Sequence, residues 1–256
     1  MMNKDEILSY FEVQAKTGEW DSLYDKNNPA SYPFIVRFVK AINLIKQVEN
    51  NSVLDLGCGT GILIPYVIEN KGKYIGLDNS ESMLKTVNKK FSKLIENGNV
   101  SLHLKDIREF TPSEKFDIII GLGFIEYFDD PETVVEQLYE LLPKGGQLIL
   151  SFPNFKSLDY FNLQLTAPIR FLLRKLTGRH TISPPRKMWN SKYAKKLFSN
   201  AGFQDLNIVN YNVNIFSYPF TRISIKFTNF WANKFEYSFL SKIGIFSSGF
   251  IIMAVK

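Results

Sequence analysis

A short apolar run that breaks into glycine at every second position constrains this chain most. Residues 53–61 read Val-Leu-Asp-Leu-Gly-Cys-Gly-Thr-Gly. Ser52–Leu56 has the character of a strand, the glycines at 57, 59 and 61 follow it, and Ile62–Asn70 reads as a helix with Pro65 in its first turn. Glycine lets the backbone turn sharply and meet a ligand with no Cβ between them. Beyond the loop, Tyr74-Ile75-Gly76-Leu77-Asp78 closes a second strand with a carboxylate, where an acid can accept hydrogen bonds from ribose hydroxyls. A Gly-Lys-Ser/Thr tripeptide does not follow the loop, so a phosphate-cradling nucleotide hydrolase has no support.

The rest of the chain continues the alternation. Strands are expected at Lys73–Leu77, Val100–Leu104, Phe116–Gly121, Gln147–Phe152, Asp205–Val213 and Ser248–Val255. Asn79 and Ser80 can cap a helix that runs to Glu96 and closes on Asn97-Gly98. Asp130-Pro131 starts another, with Val134, Val135, Leu138, Leu141 and Leu142 inward and Pro143-Lys144-Gly145-Gly146 as its stop. Ser191–Ala201 is a further helix, closed by Gly202. Such alternation implies an α/β, Rossmann-like sheet with right-handed crossovers and helices on both faces, its ligands outside the carboxyl ends of the strands. Phe155–Met188 and Phe216–Gly244 do not fit a minimal sheet. The expected organisation is one domain over residues 1–256: an N-terminal segment over 1–50, a core over 51–154, an insertion over 155–190, and a C-terminal part over 191–256 that carries the insertion 216–244.

Composition removes other classes. Aromatic residues make up 14%, which argues against disorder. One cysteine excludes a disulfide framework within the chain and a cysteine-built zinc site. The first residues contain Asp5, Glu6 and Glu12 with no apolar stretch of a secretory signal, and no apolar run approaches the roughly 18 residues of a bilayer span. The expected compartment is a reducing cytoplasm.

The glycine loop and the strand-end acid together resemble the class I S-adenosylmethionine-dependent methyltransferases. Asp55 to Gly61 match that family's hydrophobic-hydrophobic-Asp-hydrophobic-Gly-x-Gly-x-Gly pattern without a departure, Phe116–Gly121 its fourth-strand motif, and Leu142–Leu148 its turn before strand five. The resemblance is strong over about Ser52 to Phe152 and holds in outline from Ser191 to Lys256. It implies seven strands, mostly parallel with an antiparallel last strand, an N-terminal helical lid, and S-adenosylmethionine as cofactor. It places Asp55, Gly57, Cys58, Gly59, Thr60 and Gly61 at the methionine end, Asp78 on the ribose and Asp106 at the adenine amino group, with Asn79, Met83, Ile107 and Gly121 beside them. A nicotinamide-binding fold also uses Gly-x-Gly and a strand-end acid. The spacing argues against it, because the third glycine follows the second by two residues, not three.

A sulfonium methyl is already activated, so the reaction needs mainly alignment, and a hydroxyl acceptor also benefits from a base or a metal. The chain has two histidines. His180, in a loop before Pro184-Pro185, is a candidate base or a solvated loop residue; His103 lies within strand three and reads as structural. Glu126-Tyr127 follows strand four, where the family often has Glu-His. Glu126 is a candidate to orient substrate or hold a metal, or else a first-turn helix acid. No dedicated metal site is expected, and Cys58 reads as a small turn residue rather than a nucleophile. Trp20–Tyr24 and Tyr32-Pro33 precede an expected helix, Phe34–Val48, and family members fold a similar segment over the cofactor. Arg37 on that helix is a candidate partner for the cofactor carboxylate or an exposed helix arginine, and Tyr24 a candidate lid residue.

The net charge of +6 hides two unlike halves. Residues 155–256 carry 15 Lys+Arg against 3 Asp+Glu and 20 of the 37 aromatics, while the first 154 carry 16 against 22. Ile169, Leu172, Leu173 and Leu176 share one helical face flanked by Arg170 and Arg174, a pattern that suits either a membrane-interface helix or a cap packed on the domain. Phe216–Gly244 interleaves aromatics such as Tyr218, Phe227, Phe230 and Trp231 with Arg222, Lys226, Lys234 and Lys242. Aromatics and cations can stack on single-stranded nucleic acid, but the cations are scattered and no RNA-binding module is recognisable. In the family these regions build the acceptor pocket, and the layout is similar to quinone, lipid and natural-product O-methyltransferases. The expected reaction is methyl transfer to an oxygen of a hydrophobic, aromatic or lipid-linked small molecule, with peripheral contact to the inner membrane surface. The alternatives are a sugar or natural-product amine or hydroxyl, RNA or protein, or a non-catalytic subunit that retains the fold.

Overall fold

The computed structural model describes residues 3–177, 184–216 and 220–256. Seven strands, β1 (Ser52–Leu56), β2 (Lys73–Asp78), β3 (Val100–Leu104), β4 (Ile118–Gly121), β5 (Gln147–Pro153), β6 (Gln204–Val213) and β7 (Ser247–Val255), form one sheet in the order β3-β2-β1-β4-β5-β7-β6. The first five pair in parallel, and β7 runs antiparallel to both β5 and β6. The order reverses between β1 and β4, which puts the ligand-binding crevice of an open sheet outside the carboxyl ends of those two strands.

Eleven α-helices lie among the described residues. They are α1 (Lys4–Thr17), α2 (Glu19–Ser22), α3 (Tyr32–Ile42), α4 (Ile64–Glu69), α5 (Glu81–Glu96), α6 (Pro131–Glu140), α7 (Leu158–Leu165), α8 (Ala167–Thr177), α9 (Ser191–Asn200), α10 (Phe220–Ile223) and α11 (Ile225–Glu236). Alternation along the strands sorts them onto two faces. Leu54, Leu56 and Ile119 pack with Val134 and Leu138 of α6 and Leu197 and Phe198 of α9. Val53, Ile118 and Ile120 point the other way, onto Val36 of α3, Ile64 and Val67 of α4, and Leu84 and Val87 of α5. Every residue of β4 and β5 is buried, as strands covered on both faces must be.

Local chemistry sets the helix ends. The Ser80 hydroxyl caps α5 by accepting from the Met83 amide at 3.2 Å. Gly98, in the left-handed region at φ 73°, closes it with its amide on the Ile95 carbonyl at 3.0 Å. One helix departs from expectation: α3 begins at Tyr32 and stops at Ile42, not Val48. Ile45 and Val48 stay buried in the following loop, so the apolar pattern runs on after the helical backbone has ended. β4 likewise starts at Ile118, although Phe116 before it is also buried.

The segments after β5 and between β6 and β7 are largely helical. Ile169 and Leu172 of α8 are exposed, so they do not pack a cap onto the sheet as one of the two readings expected. The side chains of Leu173, Arg174, Leu176 and Arg222, and Tyr218 altogether, lie outside the described residues. Among those described, no helix is long and apolar enough to cross a membrane.

Candidate active site

The loop after β1 is held from below by β2. The Gly57 and Cys58 amides both donate to the Leu77 carbonyl, at 2.8 and 3.1 Å, and the Gly59 amide donates to Asp78 Oδ2 at 2.8 Å. The Ser80 amide donates to Asp78 Oδ1, also at 2.8 Å. Each carboxylate oxygen of Asp78 is thus fixed by one backbone donor; burial pushes its pKa up against those donors. Gly57, Gly59 and Gly61 sit at φ 63°, 54° and 79°, where a side chain is strained. Two of them are also sterically required. A Cβ on Gly59 would lie 2.7 Å from Trp20 Nε1, and one on Gly61 would lie 2.7 Å from Ile64 Cδ1.

Asp55 is buried and accepts from the Tyr74 hydroxyl at 2.7 Å. Burial, with Asp78 nearby, pushes its pKa up to about 7 despite that hydrogen bond. Cys58 is buried and its thiol is pushed well above its ordinary value by burial, which suits a turn residue and not a nucleophile. Thr60, Met83, Ile107 and Gly121 are buried around the crevice, and Asn79 is exposed at its rim.

The N-terminal helices lie over this loop. Lys4 Nζ reaches Asp106 Oδ2 at 2.8 Å, and Lys90 Nζ reaches Asp21 at 2.6 Å. Glu12 accepts from the Ser80 hydroxyl at 2.7 Å, from the Ser82 amide at 3.1 Å and from the Ser82 hydroxyl. Its carboxylate therefore sits at the amino end of α5, where the helix dipole favours a negative charge. Trp20, Tyr24, Asp55, Gly57, Cys58, Ile62, Leu63 and Leu122 line a narrow cleft between lid and loop.

Asp106 is more heavily engaged than its expected role requires. Arg108 Nε and Nη2 hold its two oxygens at 3.0 and 2.7 Å while Lys4 holds one as well. Those bonds keep its carboxyl far below the usual range. Lys4 and Glu12 carried no sequence signal for this role, because their pairings span 102 and about 70 residues.

A second polar cluster lies beside the cleft. Arg37 is not an exposed helix arginine: it is 7% exposed, and its Nη2 donates to the Tyr24 hydroxyl at 3.4 Å. Glu126, in the short 3-10 turn Ile125–Tyr127 after β4, is 4% exposed. Burial raises its pKa, opposed by the charges of Arg37 and Arg186. Tyr211 of β6 also faces this group, with burial raising its pKa against Arg37; nothing in the sequence pattern marked it. Arg37 Nε and Glu126 Oε2 are buried without a hydrogen-bond partner. A buried charged group left unpartnered is costly, so both atoms call for a ligand that supplies an acceptor to one and a donor to the other.

His103 is half-buried against the Phe110 ring at 5.2 Å, and burial with Lys105 lowers its pKa, in keeping with a structural position. His180 lies outside the described residues. Among the described residues, no group of three or more His, Cys, Asp or Glu could hold a metal ion.

Residues 54–148 match the family described as a methyltransferase domain. A malonyl-[acyl-carrier protein] O-methyltransferase of Ilyobacter polytropus is 29% identical over 115 residues, 44% of this chain and 41% of that protein. A ubiquinone biosynthesis O-methyltransferase of Hydrogenovibrio crunogenus is 27% identical over 168 residues, 65% of each. The chain thus spans less than two thirds of the length of these curated relatives. Magnesium protoporphyrin IX methyltransferase of Synechocystis PCC 6803, solved with bound SAH, shares the fold at a TM-score of 0.61 and 17% identity, over 99% of this chain and 100% of that one.

Proposed function

We propose, from the premise that this chain belongs to the class I S-adenosylmethionine-dependent methyltransferases, that it moves the cofactor's methyl to an oxygen of a hydrophobic, aromatic or lipid-linked small molecule met at a membrane surface. The observation that carries the reading is the loop itself: three glycines in left-handed backbone, tied through the Gly59 amide to the Asp78 carboxylate. That loop, with backbone amides and the Asp78 carboxylate at the crevice and no room for a Cβ beside Trp20, fits the cofactor. When bound, S-adenosylmethionine supplies an electrophilic methyl on a sulfonium sulfur.

The remaining chemistry belongs to the chain. Gly57 to Gly61 would line the methionine end and Asp78 would take the ribose hydroxyls. Arg37 would hold the cofactor carboxylate, which satisfies its unpartnered Nε. Asp106 and Ile107 would border the adenine, with Lys4 closing the lid over it. Trp20 and Tyr24 exclude water from the cleft, which strengthens every charge interaction inside. Glu126 positions the acceptor hydroxyl and takes its proton at Oε2; burial raises its pKa, which strengthens it as a base.

Methyl-labelled S-adenosylmethionine incubated with the chain and a whole-cell lysate, then separated into lipid, RNA and protein fractions, tests this. Label is expected in the organic phase, with Glu126→Gln slowing transfer by about 100-fold or more while cofactor affinity holds. Label in RNA or protein instead would overturn the acceptor class and leave methyl transfer standing. No label in any fraction would overturn the reading as a whole.

A further inference from the structure

We propose that the segments leaving the sheet after β5 and between β6 and β7 form one docking face for an anionic phospholipid bilayer, at the same edge as the active site. The inference rests on the apolar-acceptor reading only for its purpose; its physical basis is separate.

The two segments share an edge. β5 ends at Pro153, which pairs with Gly249 near the start of β7, and β6 ends at Val213, which pairs with Ser247. The buried Asn154 side chain stitches them together, donating to the carbonyls of Gly244 at 2.8 Å and Ser247 at 3.0 Å. This is also the edge at which β1 and β4 end in the glycine loop and Glu126.

The α11 helix is inside out. Its buried positions are Thr228, Ala232 and Glu236, at i, i+4 and i+8, while Phe227 and Phe230 are exposed. A helix that packs on a core normally presents its large apolar side chains inward. Here the innermost positions are small or polar, with Trp231 and Phe235 half-buried beside them, and Glu236 pins that face. Glu236 Oε1 lies 2.5 Å from Lys40 Nζ on α3, and its Oε2 accepts from the Val213 amide at 2.7 Å. The aromatic face is therefore held outward by specific bonds. Phe239 and Ile245 continue it, and Phe161, Leu165, Phe171 and Leu172 stand on the neighbouring α7 and α8, at 57–70% exposure.

Charge names the occupant. Lys226, Lys234 and Lys242 are exposed among these aromatics, as are Lys156 and Lys175 on the first segment. Lys234 Nζ sits 4.8 Å from the Phe230 ring centroid and 5.4 Å from that of Trp231, so its ammonium lies among these aromatics and sets positive charge within the apolar face. Of the three acids after residue 154, Glu236 is buried and paired, Asp205 lies at the far end of β6, and Asp159, in the first turn of α7, is half-buried with its pKa raised by burial against the charge of Arg186. Lysine is depleted at the cores of protein interfaces, whereas lysines mixed with aromatics favour the headgroup region of anionic membranes.

Vesicle co-sedimentation of the full chain tests the proposal. Binding is expected to vesicles of phosphatidylcholine and phosphatidylglycerol in equal parts, to weaken with salt, and to be slight with phosphatidylcholine alone. Lys226→Glu/Lys234→Glu should lower the affinity for the mixed vesicles at least about tenfold. Phe230→Ser/Phe239→Ser should lower it with thermal unfolding unchanged, since both rings are exposed. Cofactor titration of the same variants should match the wild type, which separates a failure here from a failure of the methyltransferase reading. Absence of binding at low salt, or variants that bind as the wild type does, would overturn the docking face. A wild-type dimer in light scattering that Phe230→Ser/Phe239→Ser dissolves would overturn it in favour of a second copy of the chain.

Discussion

Replacing Gly59 by alanine separates backbone strain from the contact between lid and loop. Alanine at φ 54° costs about 1–2 kcal/mol in the left-handed region, a loss of roughly 2–8 °C in Tm for a chain of this size. Gly98 is the matched control, with φ 73° and nothing within 4 Å of an added Cβ. Gly98→Ala should show that strain alone. At Gly59 the new Cβ would stand 2.7 Å from Trp20 Nε1, so the indole must withdraw and the lid cannot close on the loop. Gly59→Ala should therefore lose about 0.5 kcal/mol or more beyond the loss in Gly98→Ala and also bind S-adenosylmethionine at least about tenfold more weakly, a difference of about 1.4 kcal/mol. Thermal unfolding and calorimetric titration read the two quantities. In Gly59→Ala/Trp20→Ala the steric part vanishes, so the stability losses should fall short of additivity by about 0.5 kcal/mol or more. Equal cofactor affinity in Gly59→Ala and Gly98→Ala, with additive losses in the double variant, would refute the reasoning.

Three further outcomes follow from the buried charges. Asp55 has a folded pKa of about 7 against an ordinary value of 3.8, so between those values the unfolded chain has released its proton and the folded one has not. Stability should fall as pH rises across that window, by a few kcal/mol at most and roughly 1.4 kcal/mol for each unit of difference, and level off above it; in melting curves from pH 4 to 8, Asp55→Asn should flatten that slope. Lys40→Met strands the buried Glu236 carboxylate and should cost about 3–5 kcal/mol in urea unfolding, partly recovered in Lys40→Met/Glu236→Gln. Although burial opposes it, hydrogen bonds from Ser82 and Ser80 hold the Glu12 pKa below its ordinary 4.5. The lid contact is thus complete above that value and lost as pH falls through the lowered one. Limited proteolysis of the N-terminal segment should accelerate at that acid limit, and Glu12→Gln should already be sensitive at neutral pH.

The sheet was legible because its signals are local. The strands from β1 to β5 are short apolar or alternating runs bounded by a glycine, a proline or a cap, and Gly57, Asp78 and Ser80 sit where their residue types demand. Helix α3 was legible only in kind: Ile45 and Val48 are apolar because they are buried, and burial outlasts the helix that ends at Ile42. The site was legible along the loop and not across the chain. Lys4 on Asp106, Glu12 on Ser80 and Ser82, and Lys40 on Glu236 join residues 68 to 196 positions apart, and no periodicity encodes such pairs. Arg37 shows the limit from the other side. A helix arginine is ordinarily exposed, and only the three-dimensional neighbourhood of Tyr24, Glu126 and Tyr211 reveals why this one is buried.

The loop of Gly57, Gly59 and Gly61, fixed to Asp78, is the proposed seat of S-adenosylmethionine. Calorimetric titration of the full chain with that cofactor, beside Asp78→Ala, tests it directly. One cofactor should bind per wild-type chain, and Asp78→Ala should weaken binding at least about tenfold, having lost a charge-assisted hydrogen bond. No heat of binding in the wild type, or an affinity unchanged in Asp78→Ala, would contradict the account.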